Sequence, residues 1–436
     1  MEATTLYGLA LLVSLLVMLA AGMWIFAAVL AVSVLALNFI NGFGFERIGL
    51  ILQPVIWRMA SSYEIATLPL FIWMAEILFR SRLSDQIFRA FVPWISWLPG
   101  RLLHVIVLGC GVFGSVCGTS AATCATMAKI VLPELDKRGY HPKIVIGALA
   151  GGGTLGILIP PSIVMVVYAI AAEVSLLKMF MAGFLPGAMM MGLFSLYIIA
   201  WSIFNPDKIE PPLPPTTLGQ KLRAALGLAP TLMLLVFVIG ALVTGIATPT
   251  ETAACGVVGS LILSATNGAL TWKNFRDGVD STVRTTCMVM IILVATASMA
   301  SMMALTGIPR AIAASINGME LSPYMIIAVL TLVYIALGAF LDGASMILLT
   351  LPVVVPIVTQ AGFDLIWFGI FLIITIEMAQ LTPPVGFNLF VMQHMTGRGL
   401  LYVAAASVPF FFLMIIGIVI ITIWPSIVLI LPNLLV

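Results

Sequence analysis

Gly151-Gly-Gly-Thr-Leu-Gly-Ile-Leu-Ile-Pro-Pro-Ser162 lies in the middle of an apolar stretch that runs from Lys143 to Ala172. That stretch is long enough to cross a hydrocarbon core, which takes roughly 20 residues of helix. Pro160 and Pro161 supply no backbone donor, so carbonyls upstream of them lose their intrahelical partners. In lipid such groups are tolerated only where protein or a cavity covers them. The stretch therefore reads as a transmembrane helix broken within the membrane. The double proline recurs 223 residues later, in Glu377-Met-Ala-Gln-Leu-Thr-Pro-Pro-Val-Gly386. Pro133 and Gly139 recur at the same offset as Pro356 and Gly362. Three punctuation points in one register indicate an internal duplication.

The composition agrees with a chain immersed in lipid. Hydrophobic residues make up 62% and charged residues 8%, with a mean hydropathy of +1.20. A soluble domain of this length needs more charge to cover its surface. Continuous apolar runs, rather than short alternating ones, select helices over a membrane barrel. A net charge of +2 with no isolated basic cluster gives no sign of a nucleic-acid partner. The start runs directly into the first span and reads as lacking a cleavable signal peptide. The five cysteines show neither metal-ligand nor disulfide spacing, and the three histidines are scattered. No nucleophile–base pair or metal set supports catalysis, and no cofactor is expected.

The predicted fold is an all-α polytopic membrane protein of two inverted repeats, each with a re-entrant helical hairpin and a broken transmembrane helix. The first repeat covers 1–205, with scaffold spans in 1–60 and the hairpin and broken helix at about 100–172. A proline-rich cytoplasmic linker covers 206–223, within a polar segment from Asn205 to Arg223. The second repeat covers 224–436, with its hairpin and broken helix at about 323–395. Individual spans are expected near 5–21, 24–40, 64–79, 180–203, 226–246, 251–266 and 285–305. A polar-flanked connection lies around Phe45–Arg58. Amphipathic or interfacial segments follow at Arg80–Leu98 and Ile308–Glu320.

Charge decides the relative orientation. The first interrupted stretch is flanked by Arg80, Arg82, Arg89 and Arg101 before it and by Lys137, Arg138 and Lys143 after it. By the bias of basic loops towards the cytoplasm, that hairpin opens inside. The second is preceded only by Arg310, and no basic residue follows until Arg398, so it opens outside. The halves are then inverted and both termini lie outside.

Inverted repeats with broken helices are the pattern of secondary carriers, whose sites lie at the repeat interface. The first hairpin tip is read as Gly111-Val-Phe-Gly-Ser-Val-Cys-Gly-Thr-Ser-Ala121 and the second as Gly338-Ala-Phe-Leu-Asp-Gly-Ala-Ser345. Unpaired carbonyls and hydroxyls are hard oxygen ligands that suit a small hard cation, here sodium. Helix N-termini beginning at Thr119 and Ser345 would face an anion. Two sodium sites are expected. One uses Cys117 and Ser120 with Gly156, Ile159 and Pro161, with backbone carbonyls as ligands at Cys117 and Ile159. The other uses Gly338 and Gly343 with Ala379, Thr382 and Pro384. Asp342 would add charge to the second site.

Taken singly, each small-residue cluster reads as close helix packing and each proline as a kink. The recurrence of both breaks in both halves favours a site. Thr248-Pro-Thr-Glu251 reads as a capping box. Glu64, Glu76 and Glu377 remain open between functional acids and interfacial ones. The cysteines at 110, 117 and 124 read as packing.

The chain resembles the large permease subunit of tripartite ATP-independent periplasmic (TRAP) transporters. The resemblance runs over essentially the whole length. It rests on Ala66-Thr-Leu-Pro-Leu-Phe-Ile72, Cys117-Gly-Thr-Ser120, Leu132-Pro-Glu-Leu-Asp-Lys-Arg-Gly-Tyr140, Gly153-Thr-Leu-Gly-Ile-Leu-Ile-Pro-Pro-Ser162, Ala247-Thr-Pro-Thr-Glu251 and Leu381-Thr-Pro-Pro-Val-Gly-Phe-Asn-Leu389. It implies an elevator mechanism, in which hairpins and broken helices slide against a scaffold, and sodium symport. It also implies a separate small four-helix membrane subunit and a periplasmic substrate-binding protein. Cys117 stands where the family usually has serine. Gln380 also departs from the usual small residue, which makes it a candidate for the substrate pocket with Thr119, Ser345 and Asp342. The expected cargo is a small organic anion: a dicarboxylate, a keto acid or an acidic sugar. The competing readings are a stand-alone elevator-type anion permease and, less favoured, a non-transporting membrane arm of a redox complex.

Overall fold

In the computed structural model the described residues are 2–81, 83–210, 217–308, 311, 322–338, 341–383 and 386–435. Among them there are helices and turns and no strands. The first half contains α1 (Glu2–Ala20), α2 (Ile25–Phe39), α3 (Phe45–Ser61), α4 (Thr67–Phe79) and α5 (Leu83–Ile95). It continues with α6 (Leu102–Cys117), α7 (Ser120–Lys137), α8 (Pro142–Leu158), α9 (Ile163–Ala171) and α10 (Leu176–Phe204). The second half contains α11 (Leu218–Leu226), α12 (Ala229–Val243), α13 (Pro249–Thr266), α14 (Trp272–Thr306) and α15 (Pro323–Gly338). Then follow α16 (Gly343–Gln360), α17 (Leu365–Ala379), α18 (Phe387–Thr396), α19 (Leu400–Ile423) and α20 (Ser426–Leu435).

Helix length only partly separates spans from hairpin arms, since the arm α16 is as able to cross as the long spans are. By length and composition α10, α14, α16 and α19 can each cross a membrane. At 16 residues, α6 and α15 are each about 24 Å long, short of a hydrocarbon core of about 30 Å. α8 and α9 form a pair bent by 43° at the double proline. Superposing the halves at the 223-residue offset places Ser120–Lys137 on Gly343–Gln360, so α7 and α16 coincide end to end.

The helix contacts repeat with the sequence. α6 and α7 pack on α8, as α15 and α16 pack on α17. Across the halves, α18 packs on α7 and α8, while α9 packs on α16 and α17. α10 meets α8 and α17, and its counterpart α19 meets α17 and α8. Among the remaining helices, α14 on α2 mirrors α4 on α13. Exchanging the repeats therefore maps this set of contacts onto itself. Some contacts break the exchange: α14 packs along α16, whereas α4 turns to α6 and α9 instead of running along α7, and α10 packs on α6 while α19 makes no comparable contact with α15 among the described residues.

Three expectations are corrected. Phe45–Arg58 is not a loop connection but most of α3. Ser62 then takes extended backbone, and α3 meets the following helical segment at 46°. The corresponding part of the second half, α14, runs unbroken for 35 residues because Thr285, at the place of Ser62, stays helical. The linker ends earlier than 223, because Thr217 and Gln220 form a reciprocal capping box that starts α11 at Leu218. The first hairpin tip is narrower than 111–121, since α6 remains helical to Cys117. Positions 211–216, Arg82, Arg310 and most of Ile308–Glu320 lie outside the described residues.

The linker is fastened to the base of the first hairpin. Arg138, at the end of α7, pairs with Glu134 at 2.7 Å and with Glu210 at 3.0 Å. The Arg101 guanidinium donates to the Glu210 carbonyl. The two carboxylates beside Arg138 hold its guanidinium above the ordinary arginine value although burial opposes them.

Candidate functional site

Four helix ends meet at one small cavity. Gly118 ends α6 in the left-handed conformation, φ +65°, and its N–H is accepted by the Gly114 carbonyl at 2.8 Å. One residue later Ser120 begins α7. On the other half Asp342 precedes α16. A cavity of about 230 Å³ is lined by Gly118–Ala121 from the first tip and by Asp342–Ala344 from the second. Ile157 and Ile163 come from the two sides of the first break, and Gln380 and Phe387 from the two sides of the second. α14 closes the cavity with Thr285, Met288 and Val289. Elements 220 residues apart in sequence thus surround one space of a size for a small solute, below the roughly 300–1,000 Å³ of drug-sized pockets.

The four N-termini here differ in their capping. Ser162 accepts from the Met165 amide at the start of α9, and Asp342 accepts from the Ser345 amide at the start of α16. α7 and α18 begin at Thr119 and Gly386 with no side-chain cap. Their first amides have no side-chain partner among the described residues, and a helix N-terminus favours negative charge. Among the described residues, the lining contains no Lys or Arg.

The residues expected at the first cation site lie close together. Pro160 and Pro161 cannot donate to the carbonyls of Gly156 and Ile157, four residues earlier. Gly156 packs so closely that a Cβ there would lie 2.7 Å from Thr123 Oγ1 and 3.2 Å from the Thr119 carbonyl. A Cβ on Gly114 would meet the Gly156 Cα at 2.3 Å. Cys117 and Ser120 are buried at the same crossing of α6, α7 and α8. Pro161, joined to Pro160 by a cis peptide, is buried within the break. Ile159 has extended backbone and turns its side chain towards Gly111 and Gly187. Oxygens freed by proline, a buried hydroxyl and the absence of a bulky side chain fit a small hard cation.

The second site is built from the same helix ends but is occupied differently. A Cβ on Gly338 would lie 2.2 Å from the Ala379 Cβ, and Gly343 abuts Ile376 of α17. Ala379 corresponds to Gly156, and Pro383 likewise withholds its donor from the Ala379 carbonyl. Here, however, the Thr382 hydroxyl donates to that carbonyl at 2.6 Å and the Thr382 amide at 3.1 Å. The Thr382 lone pairs remain as the free oxygen donors. Pro384 lies outside the described residues. α16 begins at Gly343, two residues before the expected start, and the Ser345 amide is already taken by Asp342. Asp342 thus has a capping role that the sequence reading did not assign.

Two buried polar residues lie beside the breaks. Glu377 is buried, and its Oε1 has no hydrogen-bond partner among the described residues. Its carboxyl lies against the Thr154 hydroxyl and the Ile157 backbone. Asn388 is fully buried and joins α18 to α7 and α8. Of the other open acids, Glu76 pairs with Arg80 at 3.1 Å and accepts from Ser281 at 2.6 Å, while Glu64 is exposed. Thr248 and Glu251 do form a capping box at the start of α13.

Residues 12–427 match the family described as tripartite ATP-independent periplasmic transporter, DctM component. The chain belongs to that family. A relative from Pseudomonas aeruginosa, described as a C4-dicarboxylate TRAP transporter large permease protein, is 31% identical over 87% of this chain and 88% of its own. One from Ruegeria pomeroyi, described as an ectoine/5-hydroxyectoine TRAP transporter large permease protein, is 26% identical over 84% of this chain and 86% of its own. In fold, the chain matches the YdaH transporter of Alcanivorax borkumensis with a TM-score of 0.62 at 12% identity, covering 88% of this chain and 89% of that one. This DctM-family chain is accordingly a multi-pass membrane transport protein. Its relatives are transporters, and their names carry different solutes.

Proposed function

We propose that this permease takes up a small organic anion, of the dicarboxylate, keto acid or acidic sugar class, by sodium symport across the bacterial inner membrane. The observation that carries the reading is the convergence of both hairpin tips and both helix breaks on one cavity. There the uncapped amides of α7 and α18 receive the anion's carboxylate. The proline-freed carbonyl of Gly156, with Cys117 and Ser120, holds one sodium ion, and the Gly338–Gly343–Ala379–Thr382 crossing holds a second. Binding both charges at neighbouring helix ends offsets the cost that either would meet alone in lipid.

Movement follows from the packing. The hairpins and broken helices form one interlocked body, and α14 faces the cavity from outside it. An elevator displacement of that body against the scaffold would carry the cavity from one face to the other. The scaffold has an apolar cluster of its own, formed by α1, α2, α3 and the end of α14 and joined by Leu349 of α16. The basic flanks favour an orientation with the first hairpin's base and the linker inside and both termini periplasmic. A small four-helix membrane subunit would complete the complex, and a periplasmic substrate-binding protein would deliver the anion.

The test is uptake into proteoliposomes holding this chain and its small subunit. Labelled anions of the three classes are offered with and without an inward sodium gradient, and with and without the cognate binding protein. Accumulation of one of them only with sodium and the binding protein is the expected result. Uptake that needs no binding protein would instead make the chain a stand-alone anion permease. Sodium-independent uptake would remove the coupling.

A further inference from the structure

Asn388 lies in the first turn of α18, the segment that follows the second helix break, and has no exposed surface. Its Nδ2 donates to Ser120 Oγ at 2.8 Å and to the Ala150 carbonyl at 3.1 Å. The Ala150 carbonyl can only accept, so the amide nitrogen must face it and the orientation of the amide is fixed. Asn388 Oδ1 is left buried without a partner. A core amide with one acceptor unpaired is costly and is replaced readily by an apolar side chain unless its bonds serve another purpose.

The bonds have a specific recipient. Ser120 is the hydroxyl of the first cation site, and the side chain that binds its oxygen comes from the other repeat, 268 residues away. Asn388 occupies one Ser120 lone pair, which leaves the hydroxyl fewer orientations and one lone pair free for a cation. A cation bound at Ser120 therefore restrains the start of α18, which directly follows the second break. The same hydrogen bond thus ties the first site to the segment next to Thr382, a residue of the proposed second site.

We infer that Asn388 is a positioning residue that orients Ser120 at the first cation site and couples occupation of that site to the second break. The inference rests on the first cation site proposed above. Asn388 itself does not touch the ion.

The test uses the purified full chain and sodium alone. Thermal unfolding is followed as sodium chloride replaces choline chloride at constant ionic strength, because an ion that binds the folded state raises the midpoint in proportion to occupancy. Asn388→Ala is expected to raise the half-saturating sodium concentration roughly tenfold, as loss of an outer partner of a ligand does, and to lower the Hill coefficient towards one. Asn388→Ser, which is too short to reach both acceptors, serves if the alanine variant does not fold, with the same expectation. In a Ser120→Ala background the Asn388 substitution should add nothing, since a residue acting through Ser120 is coupled to it. An unchanged Hill coefficient, or a shift that persists in full without Ser120, overturns the inference. If Ser120→Ala alone leaves the sodium titration unchanged, the first cation site falls and the inference with it.

Discussion

Thr154 and Glu377 occupy equivalent positions in the two repeats and face each other across the contact between α8 and α17. A residue that touches its own repeat counterpart lies on the axis that relates the halves. Thr154 spends its hydroxyl proton on the Gly151 carbonyl at 2.6 Å, so it offers the Glu377 carboxyl little in return. No ion pair among the described residues reaches Glu377. The duplicated fold therefore keeps a buried acid at its centre opposite a threonine.

That arrangement predicts a stability cost. Glu377→Met keeps the volume and replaces the carboxyl by an apolar side chain, and it should stabilise the protein by about 1–3 kcal/mol, the range for relieving a poorly partnered buried polar group. Thermal unfolding in detergent at fixed sodium reads the change. A lower midpoint in the methionine variant would mean that the carboxyl has a stabilising partner.

Close backbone approach at the first site gives a second prediction. A methyl group on Gly114 would lie well inside contact distance of the Gly156 backbone. Neither helix can yield by rotating a side chain. Gly114→Ala should cost about 1–3 kcal/mol, as overpacking does, and should separate α6 from α8. Gly192→Ala, where a Cβ meets nothing within 4 Å, is the matched control and should be neutral or better. Equal effects in the two variants would contradict the packing described.

The broken exchange of contacts predicts the other conformation. α14 lies along α16, and Val289 and Ala344 line the present cavity together. Their repeat counterparts are Ala66 and Ala121. If transport exchanges the conformations of the two halves, Ala66 approaches Ala121 when the cavity opens to the opposite face. Cysteines at 66 and 121, in a background lacking the native cysteines, should cross-link only under conditions that drive turnover. Cross-linking that is independent of sodium and solute would refute the exchange.

Much of the fold was legible because proline and glycine act locally. Pro160 and Pro161 withhold donors wherever they stand, so the first break was readable from the sequence, and the 223-residue register located its counterpart. Lengths were harder. Nothing in the composition of Trp272–Thr306 distinguishes one long helix from the bent pair of the first half, since the difference is the backbone at Ser62 against Thr285. Asn388 has no role visible in the sequence, because its partners Ser120 and Ala150 are distant along the chain and no periodicity marks such a contact. The capping of α16 by Asp342 was similarly hidden: an acid near a hairpin tip reads equally as a ligand or a cap until the helix start is known.

The tie between linker and hairpin gives a further prediction. Arg138→Ala removes the guanidinium that Glu134 and Glu210 share. Partly exposed pairs contribute little to global stability, about 0–1 kcal/mol, so the melting temperature should barely move. Trypsin cleavage after Lys208 should nevertheless quicken several-fold. Unchanged cleavage would show that the Arg101 contact alone secures Glu210.

The most direct measurement is an electron density map of the protein in lipid nanodiscs, collected once in sodium and once in choline. The account predicts sodium-dependent density at two places, between Ser120 and Gly156 and between Gly338 and Thr382, with both hairpin tips ordered around them. Identical maps in the two salts, with the freed carbonyl of Gly156 bound only by protein donors, would contradict it.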